Sequence, residues 1–193
     1  MEAGRKTAAG GRRKTPRVRL IALVAALCAV AAACSTVAIL KYGCAKRPKP
    51  RGPLLGKRAP NFVDAVEFWL NGDEIGFEEL KGKPLLLYFW HPRDGKSLDT
   101  IDRVVALADK FAGRGLTTIG LCVVNEPGEV EPILRSHGVK FRVGLDCDAD
   151  VHLKYRIDLL GTPFCYLVDG QRTVVWDGPP ADLSERDLRK LLP

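Results

Sequence analysis

Hydrophobic and polar positions divide this chain into two stretches built on different rules. Residues 20–40 (LIALVAALCAVAAACSTVAIL) hold no charged side chain. As a helix they would extend about 31 Å, against roughly 30 Å for a bilayer core. Beyond residue 53 the apolar positions come in short bursts. The unbroken run 85–90 (LLLYFW) predicts a strand buried on both faces. Residues 97–112 instead place apolar side chains at 98, 101, 104, 105, 108 and 111, one stripe of an amphipathic helix that ends in the glycines at 113 and 115. Residues 117–124 (TTIGLCVV) predict a second buried strand. Upstream, 66–70 predicts a strand, Asn71-Gly72 a hairpin turn into 74–76, and 81–84 a turn entering the run at 85. Downstream, 129–137 predicts a short helix stopped by Gly138, 139–143 an extended piece and 149–155 a further helical segment. Residues 164–168 and 173–176 flank Asp169-Gly170 as a hairpin, and 183–192 predicts a closing helix capped by Ser184.

A strand–helix–strand crossover makes parallel neighbours, whereas a hairpin adds an antiparallel edge. The order predicts an α/β fold with a mixed sheet and helices on both faces. The domain organisation follows: a basic segment at 1–19, a transmembrane helix at 20–40, a basic Pro-rich linker at 41–53 and one folded domain at 54–193. The linker sequence KRPKPRGP cannot continue a helix and reads as a stiff spacer. A cleaved signal peptide is the competing reading of the first 40 residues, with a lipoprotein site at Ala31-Ala32-Ala33-Cys34 a weaker one.

Charge changes the picture once it is apportioned. The net charge is +7, yet residues 1–19 hold seven cations against Glu2 alone and residues 41–51 add five more, leaving residues 52–193 at −4. The domain therefore lacks the basic face that nucleic-acid binding needs. The longer basic block precedes the apolar run, which orients the domain to the extracytoplasmic side, periplasmic or extracellular.

The chemistry on offer is sparse. Six cysteines occur, with no Cys-x-x-Cys spacing, and the odd number beyond the linker (Cys122, Cys147, Cys165) rules out full pairing there. Cys147 lies among Asp146, Asp148 and Asp150, which should raise its pKa rather than activate it. Gly95-Lys96-Ser97 invites a phosphate-loop reading, but that loop needs a glycine where Trp90 stands. The histidines at 91, 137 and 152 form no close ligand pair, and neither a metal nor a cofactor is expected.

Four stretches carry a resemblance: Ala59-Pro60-Asn61-Phe62; residues 80–90, LKGKPLLLYFW; Gly161-Thr162-Pro163; and Leu167-Val168-Asp169-Gly170 followed by Val174-Val175. In this order and spacing they resemble the membrane-anchored thioredoxin-like proteins of the TlpA/ResA type, within the redoxin superfamily. The resemblance covers residues 59–193 and implies a thioredoxin-like fold, a cis Pro163, and a Cys-x-x-Cys pair after the aromatic strand. Here the two sulfur positions fall on Asp94 and Ser97. In such a fold the strand at 85–90 would also separate Cys122 from Cys165 too far for a bridge.

No catalytic residue is therefore assigned, and thiol–disulfide exchange is not carried over. Asp94 reads either as a plain helix cap left after a thiol was lost, or as part of a polar site for a ligand or a non-redox reaction. The expected pseudo-active site comprises Trp90, His91, Asp94, Ser97, Thr162 and Pro163, and the expected function is binding of a protein or peptide partner in the groove there. The alternative is an oxidoreductase or antioxidant redoxin using non-standard cysteines.

Overall fold

The strand at Leu85–Trp90 is buried at all six positions and organises everything else. The computed structural model describes residues 52–192, apart from Phe77, Asn125 and the side chains of Leu159 and Leu160. The basic segment, the membrane helix and nearly all of the linker expected from the sequence lie outside the described residues. Among those described, no helix is long and apolar enough to cross a membrane.

Six strands form one mixed sheet: β1 (Phe68–Leu70), β2 (Leu85–Trp90), β3 (Thr117–Cys122), β4 (Arg142–Leu145), β5 (Phe164–Val168) and β6 (Val174–Gly178), in the order β1-β4-β3-β2-β5-β6. β2, β3 and β4 run parallel, while β1, β5 and β6 each pair antiparallel with their neighbours. Among the described residues five α-helices accompany them: α1 (Gly95–Ala112), α2 (Pro127–Ser136), α3 (Asp150–Lys154), α4 (Ile157–Leu160) and α5 (Glu185–Leu191).

Alternation along β2 splits the core in two. Leu86, Tyr88 and Trp90 pack with Ile101, Val104 and Phe111 of α1, Val130 of α2 and Leu188 of α5. Leu85, Leu87 and Phe89 meet Phe62, Ile75, Val151 and Tyr155 on the other face. Each such fully buried side chain contributes about 1.5–3 kcal/mol. Helices cover both faces, and the C-terminal ends of β2, β3 and β4 share one rim.

Local differences from the sequence reading have physical reasons. Asn71-Gly72 does turn the chain, with Asn71 at φ 60, but it makes no hairpin with 74–76. β1 pairs instead with β4, and the Asn71 amide donates to the carbonyl oxygens of Val139 (2.8 Å) and Phe141 (3.2 Å). Turn chemistry permits a positive φ whatever follows, and Ile75 is drawn into the core rather than into a ladder. The expected extended piece at 139–143 becomes a strand only from Arg142; 149–155 forms α3, and Arg156 at φ 60 separates it from the additional short helix α4. The 164–176 hairpin forms, with a register shift at Leu167/Val168. α5 carries a full capping box between Ser184 and Asp187.

Candidate functional site

β2 ends at Trp90 and α1 begins at Gly95, so four residues must turn the chain from the sheet into a helix. The first turn of any helix leaves amide donors unpaired. Asp94 meets them: its Oδ1 accepts from Lys96 N (3.3 Å) and its Oδ2 from Ser97 N (3.2 Å). The same Oδ2 accepts from the Ser97 hydroxyl at 2.8 Å. Ser97 is fully buried, and its Oγ also accepts the His91 amide at 3.1 Å. The two positions where the sequence resemblance expects sulfur thus hold a directly hydrogen-bonded carboxylate and hydroxyl.

Partial desolvation pushes the Asp94 carboxyl up, but the Ser97 hydroxyl, the Lys96 and Ser97 amides and the Lys96 charge outweigh it and hold the pKa below the ordinary carboxylate value. Asp94 is therefore an anion at neutral pH. Tyr88 reaches in from the α1 face of β2 and donates to the Ser97 carbonyl at 2.9 Å. Burial drives its phenol pKa well up, so it stays a neutral donor.

The Thr162–Pro163 bond is cis, and Thr162 Oγ1 lies 3.5 Å from Asp94 Oδ2. This brings Asp94, Ser97, His91 and Thr162 to one place, beside the exposed Arg93. Trp90 is different. It is 1% exposed, its ring lies parallel to Tyr88 at 6.3 Å, and its side chain belongs to the α1-side core. Strand alternation turns its indole under α1, so it offers no groove surface. His91 Nδ1 accepts the Arg93 amide (3.1 Å), and Arg93 forms a fork with Glu129 of α2 at 3.1 and 2.7 Å.

Sequence reasoning missed a second polar group on the same rim. Asp146 is fully buried just after β4 and accepts from the amides of Val151 (3.1 Å) and His152 (2.9 Å) and from His152 Nδ1 (2.6 Å). The His152 ring stands edge-on to Phe89 at 5.1 Å. Burial opposes the Asp146 charge, yet these donors hold its pKa below the usual range. No sequence signal marks this pair, because it closes through an irregular loop rather than at helical spacing. His137 pairs with Asp102 at 2.6 Å, so each histidine is engaged by a protein group. Among the described residues no cluster of three or more His, Cys, Asp or Glu side chains is placed to hold a metal ion.

The three described cysteines are free. Cys122 faces Trp90 across one ladder and Cys165 faces Tyr88 across the other, so β2 keeps them two strands apart. Burial drives both thiol pKa values well up. Cys147 is partly exposed, and its pKa is raised by desolvation first and by Glu67 second, with Asp148 and Asp146 adding to it. Glu67, which accepts the Cys147 amide at 2.8 Å, is an acid the sequence did not point to.

The AhpC/TSA family profile matches residues 55–177. Among curated proteins, the thiol-disulfide oxidoreductase ResA of Bacillus subtilis is 28% identical over 71% of this chain and 75% of its own length. The protein of the same name from Bacillus anthracis is 29% identical over 61% of this chain and 66% of its own length. Among solved structures, the thioredoxin domain of a thiol-disulfide oxidoreductase from Bacteroides vulgatus superposes with a TM-score of 0.57 at 21% identity, covering 70% of this chain and 93% of that one. A thiol:disulfide interchange protein from Chlorobium tepidum gives 0.56 at 20% identity, covering 69% and 92%. At these identities the superpositions show a shared thioredoxin-like fold.

Proposed function

The chain belongs to the AhpC/TSA family, and from that membership we propose a thioredoxin-like domain without thiol–disulfide exchange, which binds a protein or peptide partner and is held at the extracytoplasmic face of a membrane by residues 20–40. The observation that carries this reading is the 2.8 Å bond from the Ser97 hydroxyl to the Asp94 carboxylate at the head of α1. Exchange proceeds by thiolate attack and closes through a second sulfur. A carboxylate and a hydroxyl do neither. The described thiols do not replace them, since two are fully buried and the third is held in its protonated form by burial and acids. A groove that pairs with a peptide backbone needs no sulfur, and Thr162 beside Asp94 keeps a polar wall for one.

The test is reduction of insulin disulfides by dithiothreitol in the presence of the full chain. The expected rate equals that of dithiothreitol alone. A faster rate that Cys147→Ser abolishes would replace this reading with an oxidoreductase working through a non-standard cysteine. For the groove, Thr162→Arg should reduce crosslinking to the partner while Cys147→Ser leaves it intact; recovery indifferent to Thr162→Arg would remove the groove from the proposal.

A further inference from the structure

The charge of −4 over residues 52–193 is an average, and the fold distributes it unevenly. At the sheet end opposite Asp94 three separate segments meet. Leu85 pairs with Val168, so the 169–173 turn stands beside the start of β2. The 81–84 turn joins it there, with the Gly82 amide donating to the Gly170 carbonyl at 3.2 Å. Residues 57–59 complete this pole: Arg58 bridges Thr173, the Val174 amide donates to the Lys57 carbonyl (2.9 Å), and the Ala59 amide donates to the Arg172 carbonyl (2.7 Å).

These backbone contacts gather Lys57, Arg58, Lys81, Lys83 and Arg172 from three parts of the chain. The first four are exposed and Arg172 is half-buried. Partial burial first, and the Arg58 cation second, hold the Arg172 pKa below its ordinary value, so the two guanidinium groups crowd each other. Three acids stand nearby and leave the pole net positive. Asp169 directs its Oδ1 to the amides of Gln171 (3.0 Å) and Thr173 (2.7 Å), and Glu79 turns to the Gly76 amide (3.2 Å). Glu78 reaches Lys81 only at 3.9 Å on the open surface, where a pair contributes little. Lys57, Arg58 and Lys83 form no ion pair with the described residues.

What precedes the described chain says which anion this pole meets. The described chain begins at Gly52, five residues before Lys57, and residues 41–51 carry five further cations. That stretch reaches at most about 40 Å, so with residues 20–40 in a bilayer the pole stays within reach of the headgroups. We propose that this pole docks on an anionic lipid surface, with its five cations against the headgroup phosphates and the groove at Asp94 facing away from the bilayer. The inference rests on the membrane anchoring proposed above. Each cation near such a surface contributes about fivefold in affinity, and the attraction fades within about 10 Å at 0.1 M salt.

Hydrogen exchange of the full chain with vesicles, read by mass spectrometry, tests it. Neutral phosphatidylcholine vesicles are compared with vesicles rich in anionic phosphatidylglycerol. Amides of 78–83 and 169–173 should exchange severalfold more slowly with the anionic vesicles, and the protection should vanish in high salt. Lys57→Glu with Lys83→Glu should abolish it while α1 exchanges as in the parent. Equal exchange with both vesicles, or protection that survives the double variant, would overturn the proposal. Protection supplied equally by millimolar inorganic phosphate beside neutral vesicles would assign the pole to a soluble anion and overturn it too. Carbonate extraction of the same samples reads the anchoring separately. A chain released by carbonate refutes the anchor and the docking that rests on it, whereas a retained chain without protection refutes the docking alone.

Discussion

Replacing Asp94 with Ala removes more than a surface charge, and the loss can be worked from the contacts. Two α1 amides lose their cap, a change that costs about 1 kcal/mol. The charge at the positive end of the helix contributes about 0.5 kcal/mol more. The Ser97 hydroxyl, fully buried, loses its acceptor, which adds about 1–2 kcal/mol. The total is about 3 kcal/mol. Asp94→Asn keeps a capping oxygen and should cost only about 0.5–1 kcal/mol. Urea unfolding followed by tryptophan fluorescence reads both. With a slope of about 2 kcal/mol per molar, the Ala variant should unfold about 1.5 M earlier than the parent. The pH dependence carries an independent sign. The folded-state pKa of Asp94 lies below its unfolded value of about 3.9, so its charge stabilises the fold above that pH and the benefit disappears as the pH falls through the folded pKa. The gap between parent and Asp94→Asn should therefore close in acid. A loss below about 1 kcal/mol for Ala, or equal losses for Ala and Asn, would refute the capping argument.

Other expectations follow from the same contacts. Asp94→Cys with Ser97→Cys should give the chain insulin-reducing turnover well above the dithiothreitol background, because the Lys96 and Ser97 amides remain to steady a thiolate; no gain would mean the loop geometry itself forbids exchange. Glu67→Gln should speed Cys147 alkylation severalfold at mildly basic pH, read by mass spectrometry, with Cys122 and Cys165 unlabelled until urea unfolds the domain; an unchanged Cys147 rate would remove Glu67 as a cause. Asp146→Ala should cost about 3–5 kcal/mol in the same urea assay, since it strands the Val151 and His152 amides and the His152 ring in the core; a cost below about 1 kcal/mol would show that water takes over their pairing.

The fold was legible because its signals are local and periodic. Six consecutive apolar residues fix β2, a 3.6-residue stripe fixes α1, and Asp169-Gly170 fixes the β5–β6 turn. The helix cap at Asp94 was legible for the same reason, since a capping side chain answers to amides two and three residues on. Asn71-Gly72 was half legible: the turn was there, but the partners of the strand before it were 73–77 residues away in β4. Trp90 stood in the expected site by sequence adjacency, and only the pleat of β2 sent its ring beneath α1.

The amino-acid order alone determined that oxygen stands at both positions where the family resemblance expects sulfur, because identity at a residue needs no fold to read it. Tertiary structure decided what that oxygen pair does: it closes a 2.8 Å bond, buries Ser97 and keeps Asp94 ionised. It also decided the groups that no spacing announces. Asp146 finds His152 through an irregular loop, and Glu67 reaches the Cys147 amide across 80 residues of chain. Periodicity reports which face a residue takes; only packing reports what that face meets.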